Sequence, residues 1–93
     1  MKINGLATYQ IVDENADIAL SVEFTKEEMK EYDLNSTTVW VTYDLNGNYR
    51  QSSIADEGIA VELQLTSEEL QQVLKYIDDN GLRNELLKQI NLV

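Results

Sequence analysis

The stretch Ile18-Ala19-Leu20-Ser21-Val22-Glu23-Phe24-Thr25-Lys26-Glu27-Glu28-Met29 contains, in twelve residues, both kinds of element from which this chain is built. Ile18, Leu20, Val22 and Phe24 alternate with Ala19, Ser21 and Glu23, the period of two of a half-buried strand. The period then breaks. Thr25, with Glu28 three residues later, has the spacing of a capping box. Glu27 and Glu28 occupy a first helical turn, where the helix dipole favours carboxylates. The chain therefore passes from strand to helix at a single threonine. The same grammar returns at an offset of 41, in Ile59-Ala60-Val61-Glu62-Leu63-Gln64-Leu65-Thr66-Ser67-Glu68-Glu69-Leu70, with five positions identical. Two copies are too few for a solenoid. The echo is either a duplicated unit or two independent solutions of one strand-to-helix corner.

Reading upstream, residues 3–12 form a first strand, with Ile3, Gly5, Ala7, Tyr9 and Ile11 on one face, followed by the acidic turn Asp13-Glu14-Asn15-Ala16-Asp17. Downstream, Met29 and Tyr32 give the short helix a narrow apolar face, and it should end near Asp33 to Asn35. Residues 37–45 are β-branched and aromatic, a third strand. Asn46-Gly47 is a hairpin signal, since both residues tolerate positive φ, and residues 48–54 return. Asp56-Glu57-Gly58 turns the chain into a fifth strand over 59–65. Leu70, Val73, Leu74 and Ile77 fall at i, i+3, i+4 and i+7 of a second long helix, which Asn80-Gly81 stops. Leu82, Leu86 and Ile90 mark one side of a last helix. The order is β-β-α-β-β-β-α-α. Short connections favour antiparallel pairing. The expected fold is a single α+β domain over residues 1–93: a five-stranded antiparallel sheet with helices packed on one face.

Composition narrows function. The chain has 93 residues, no cysteine and no histidine. Disulfides and thiolate–metal sites are excluded, and the commonest general base and transition-metal ligand are missing. No cofactor is expected. Serine or threonine nucleophiles lack a histidine partner, and there is no glycine-rich phosphate loop. Adjacent carboxylates such as Glu27/Glu28, Glu68/Glu69 and Asp78/Asp79 do not face each other on a helix. The chain is therefore not expected to be an enzyme. The turns opening at Asp13 and at Asp44 start like a calcium loop but carry Ile18 and Tyr49 where glycine is needed, and Phe24 and Ala55 where glutamate is needed. They are Asx-rich hairpin turns instead. No apolar run is long enough for a signal peptide or a membrane span, so the expected compartment is the cytoplasm.

Net charge is the strongest global signal. Seventeen carboxylates face seven lysines and arginines, for a net of −10. Such a chain repels nucleic acid and anionic membranes and is steered toward basic surfaces. The excess lies in the first three-quarters of the chain: fourteen acidic and three basic residues from Asp13 to Glu69, against three of each from Leu70 to Val93. The candidate partner-binding residues are Asp13, Glu14, Asp17, Glu27, Glu28, Glu31, Asp33, Asp56 and Glu57, with Glu68 and Glu69 beside them. They gather at strand ends and helix starts, which a sheet–helix domain can bring to one rim. Trp40 shares a strand face with Thr38 and Thr42, opposite Val39, Val41, Tyr43 and Leu45. It is either an exposed anchor of the kind common in binding hot spots or covered by another segment. Tyr49 and Arg50 on the neighbouring strand could extend its patch.

In size, charge, lack of Cys and His, and in the acidic stretches 13–17, 26–33 and 56–57, the chain resembles the small acidic proteins that phages and mobile elements encode against host defence, anti-CRISPR proteins and DNA mimics among them. The resemblance implies a non-enzymatic inhibitor in the host cytoplasm. Its carboxylates would meet the arginines and lysines of a nucleic-acid-binding protein, such as a CRISPR effector nuclease, and block nucleic-acid access. The alternative is a small adaptor or assembly module whose interface is formed by Leu82, Leu86, Leu87 and Ile90 of the neutral C-terminal segment.

Overall fold

The computed structural model of the chain describes residues 1–12, 14–55 and 57–91. It contains β1 (Lys2–Val12), β2 (Asn15–Glu23), α1 (Lys26–Glu31), β3 (Thr38–Asp44), β4 (Tyr49–Ile54), β5 (Ala60–Val61), α2 (Ser67–Asp79) and α3 (Leu82–Asn91). The strands form one antiparallel meander, β1-β2-β3-β4-β5. The fold is thus α+β with the expected order of elements.

The core grows from the central pair. Ile18, Leu20 and Val22 of β2 stand opposite Tyr43, Val41 and Val39 of β3, and all six are buried. They share one cluster with Val73 and Ile77 of α2 and Leu82 and Leu86 of α3, while Met29 and Tyr32 of α1 pack on its edge. All three helices therefore serve one face of the sheet, each buried aliphatic side chain contributing about 1.5–3 kcal/mol. Both capping boxes are present. Thr25 Oγ1 accepts from the Glu28 amide (3.2 Å) and the Thr25 amide donates to Glu28 Oε1 (3.0 Å). Thr66 and Glu69 repeat this at 3.2 and 2.9 Å. The echo between the two corners is closest at these caps, because β2 is paired along both sides whereas its counterpart keeps only two ladder residues.

Three local expectations need correction. In β1 the alternation of Ile3, Gly5, Ala7, Tyr9 and Ile11 does not hold, because irregularities between Ile3 and Gly5 and between Leu6 and Thr8 each insert a residue. Leu6, not Ala7, stands opposite the buried Leu20. The first irregularity flips the face and the second flips it back, so Ile3, Tyr9 and Ile11 still share one face and only Gly5 and Ala7 leave it. The fifth strand is Ala60–Val61, not 59–65. Leu63 leaves the ladder to reach the core, and side-chain burial wins over edge pairing. The Asn46-Gly47 turn is a three-residue loop, closed by Asp44 N–H to Asn48 C=O (2.9 Å) and Gly47 N–H to Asp44 C=O (3.2 Å). Only Gly47 takes positive φ (+86°). The Asp44 side chain accepts from the amides of Asn46 (2.8 Å) and Asn48 (2.9 Å), and this Asx cap holds the wider loop open.

Candidate partner-binding surfaces

Among the described residues, several of the acidic side chains gather at two places instead of one rim. The first lies where α1 ends and α2 begins. The Tyr32 ring meets Phe24 edge-on, with centroids 5.6 Å apart. Its hydroxyl donates to Glu69 Oε1 at 3.0 Å, across 37 residues of sequence. That bond joins the end of α1 to the N-terminal turn of α2. Glu28, Glu31 and Glu69 therefore surround one phenol. Burial and then these three carboxylates push the Tyr32 hydroxyl up to about 12. Two members have structural work. Glu69 closes a capping box. Glu28 closes another and meets the Met1 ammonium at 2.7 Å. Burial alone would raise the Glu28 carboxyl, but the ammonium and the bonds from Thr25 outweigh it and hold it below the usual range. Glu27 and Glu31 on α1 and Glu68 on α2 are exposed, and among the described residues no cation lies within 4.0 Å of them.

The second group lies at the other end of β2. Asp17 and Asp44 stand directly opposite each other on β2 and β3, an arrangement of like charges that costs stability unless relieved. Arg50 relieves it, with Nε 3.7 Å from Asp17 Oδ1. Asp44 is held below its ordinary value of 3.8, first by the Asn48 amide and further by the Asn48 side chain, the Asn46 amide and Arg50, against burial. Glu14 joins this group at a cleft of about 220 Å³ also lined by Asn46 and Ile90. At about 3.3 Å per strand residue the two groups are separated by roughly 20 Å along β2. Glu57 is exposed in the β4–β5 turn. Asp13 and Asp56 lie outside the described residues. Asp33 is exposed just past α1, with φ +55°.

Trp40 lies on the face that the helices leave open. It stands between Ser21 on β2 and Ser53 on β4, is half-buried and does not belong to the core cluster. Tyr49 does not extend its patch. The irregularity in β4 places Tyr49 opposite Tyr43, on the helix-bearing face, where its ring meets Tyr43 at 5.9 Å and its hydroxyl lies 2.6 Å from Ser52 Oγ. Arg50 turns toward Asp17 instead. Of the four C-terminal residues considered for an adaptor interface, Leu82 and Leu86 are in the core and Ile90 packs against it; only Leu87, 41% exposed, is left on the surface.

Asp44, Tyr32 and Glu69 are the residues that reading the sequence for candidate sites undervalued. Asp44 had a visible signal, its place before Asn46-Gly47. The Tyr32–Glu69 bond had none, since nothing local links the two positions. Among the described residues no three carboxylates come together in a way that could hold a metal ion, and no helix is long and apolar enough to cross a membrane. No protein-family model, curated protein or solved structure matches the chain.

Proposed function

We propose that the chain is a non-enzymatic binding protein whose acidic α1–α2 corner occupies a basic, nucleic-acid-binding surface of a partner protein and blocks nucleic-acid access. The observation that carries this reading is the Tyr32–Glu69 bond (3.0 Å). It brings the last turn of α1, with Glu31, to the first turn of α2, with Glu68 and Glu69, and among the described residues no cation lies within 4.0 Å of Glu27, Glu31 or Glu68. Rigidly spaced carboxylates suit arginine and lysine side chains that otherwise hold phosphates. Both carriers start in capping boxes, so little conformational freedom is lost on binding. Within the resemblance described above, a CRISPR effector nuclease is one such partner. The neutral C-terminal segment offers the adaptor reading little, because Leu82, Leu86 and Ile90 are engaged in the core.

The test uses Glu27→Lys, Glu31→Lys and Glu68→Lys together, which spares the structural Glu28 and Glu69. Immobilised protein is exposed to bacterial lysate and eluted with a salt gradient, then with DNA or RNA. The parent chain should retain a nucleic-acid-binding protein that leaves at moderate salt and is displaced by nucleic acid; the triple variant should not. Retention of the same protein by both, or its indifference to nucleic acid, would end this reading.

A further inference from the structure

Helix α1 has two unlike sides. Glu27, Glu28 and Glu31 share one. Lys26, Met29 and Lys30 follow the spacing i, i+3, i+4 of the other, and Asp33 lies just past its end. That second side borders an open, mainly apolar groove of about 480 Å³, completed by Leu34 and Thr37. Leu34, only 8% exposed, and Met29 form its apolar wall and connect it to the core.

Cations are scarce in this chain, at seven against seventeen carboxylates. Arg50, Lys75, Arg83 and Lys88 each lie within 4.0 Å of a carboxylate. Lys26 and Lys30, like Lys2 on β1, are exposed and, among the described residues, have no carboxylate within that distance. Two like charges one turn apart on a helix repel, and Glu27, three residues before Lys30, does not come within 4.0 Å of it. The result is an apolar groove with two unneutralised ammonium groups on its lip, on a molecule that is otherwise acidic.

We infer that this groove is a docking site for an acidic, apolar segment of a partner protein. A leucine-like side chain enters between Met29 and Leu34, and flanking carboxylates meet the Lys26 and Lys30 ammonium groups. Charge selects this occupant. A basic segment would set cations against cations. A neutral one would leave both ammonium groups unanswered. A second copy of this chain would bring a body of net −10 against another. Asp33, the one carboxylate on the lining, repels ligand carboxylates from its end and so orients the segment toward the lysines. The inference does not depend on the acidic corner, because the two surfaces use opposite sides of α1.

The test is an NMR titration of the ¹⁵N-labelled full chain with a short synthetic peptide of two leucines flanked by glutamates. Shifts should concentrate on Lys26, Met29, Lys30, Leu34 and Thr37. Lys26→Glu with Lys30→Glu, both at exposed positions, should weaken binding at least about tenfold with the remaining amide spectrum unchanged, and Asp33→Asn should tighten it. The same peptide with lysines for glutamates should leave the groove amides in place. Equal response to the basic peptide, undiminished affinity in the double variant, or no shift at all would overturn the inference. So would shifts produced by dodecanoate but not by the peptide, which would mark a lipid-anion site. Concentration-dependent shifts of the same amides without peptide would mark self-association and would overturn it equally.

Discussion

Replacing Gly47 by alanine tests the best-defined turn in the molecule. Gly47 sits at φ +86°, where a residue bearing Cβ costs about 1–2 kcal/mol. A Cβ there would lie 2.7 Å from Arg83 Nη2 and 3.5 Å from Leu74 Cδ2. The leucine contact is ordinary; the guanidinium contact is not. Arg83 is flexible and can swing away, but it then loses its contact with Asp78, 3.4 Å from Nε. Both groups are partly exposed, so that contact is worth well under about 1 kcal/mol. The expected destabilisation is therefore about 2 kcal/mol, or a fall of roughly 10 °C in Tm for a domain of this size. Urea denaturation followed by the single Trp40 and by circular dichroism measures it. Repeating the substitution in an Arg83→Ala background separates strain from displacement, because only the displacement term should vanish. A loss below about 0.5 kcal/mol, the size of an ordinary surface substitution, would refute both the left-handed loop and its contact with α3.

Two further outcomes follow from the packing. Tyr32→Phe removes the hydroxyl that bridges to Glu69. Because that phenol is raised from 10.0 to about 12 in the folded chain, its contribution is complete below pH 10 and is lost as pH rises through the folded value; the variant should be less stable at neutral pH and should lose part of the alkaline dependence, read as urea midpoints from pH 7 to 11. Leu86→Ala, at a side chain with no exposure, should cost about 2–5 kcal/mol, whereas Leu87→Ala should cost under about 1 kcal/mol, a contrast that thermal melts resolve.

What could be read from the sequence was local. The alternation of Ile18 to Phe24 and the two threonine–glutamate caps are dictated by neighbours within a turn or a strand, and the structure keeps them. The i, i+3, i+4, i+7 set of α2 is similarly self-contained. Legibility failed where a distant residue decides. Nothing in Lys2 to Val12 announces which positions will bulge; β2, already fixed by its own pattern, sets that register from outside. Leu63 follows a strand period, yet burial draws it out of the sheet. Trp40 was placed correctly on the face opposite Val39 and Val41, because period two fixes faces, but Tyr49 was not, because an irregularity intervenes in β4. The candidate site shows the same division. Which residues are acidic was plain; that several of them gather at opposite ends of β2 depends on the Asp17–Asp44 register and on Tyr32 reaching Glu69.

The structure also separates carboxylates with a folding task from those without one. Glu28, Glu69 and Asp44 each accept backbone hydrogen bonds that a helix start or a turn requires, so their charge is explained by the fold itself. Glu27 and Glu68 gain only the general preference of a helix N-terminus for acid, and asparagine or serine elsewhere in those turns would also keep the chain soluble. Glu31 lies in the last turn of α1, where the helix dipole disfavours a negative charge. It also stands close enough to Tyr32 and its carboxylate neighbours to raise the phenol. Folding gains nothing from that placement: it adds repulsion to a corner already holding Glu28 and Glu69. On the proposed binding reading, a cation supplied by the partner would relieve that repulsion. Glu31 is therefore the residue at which the binding reading and a merely soluble surface differ most.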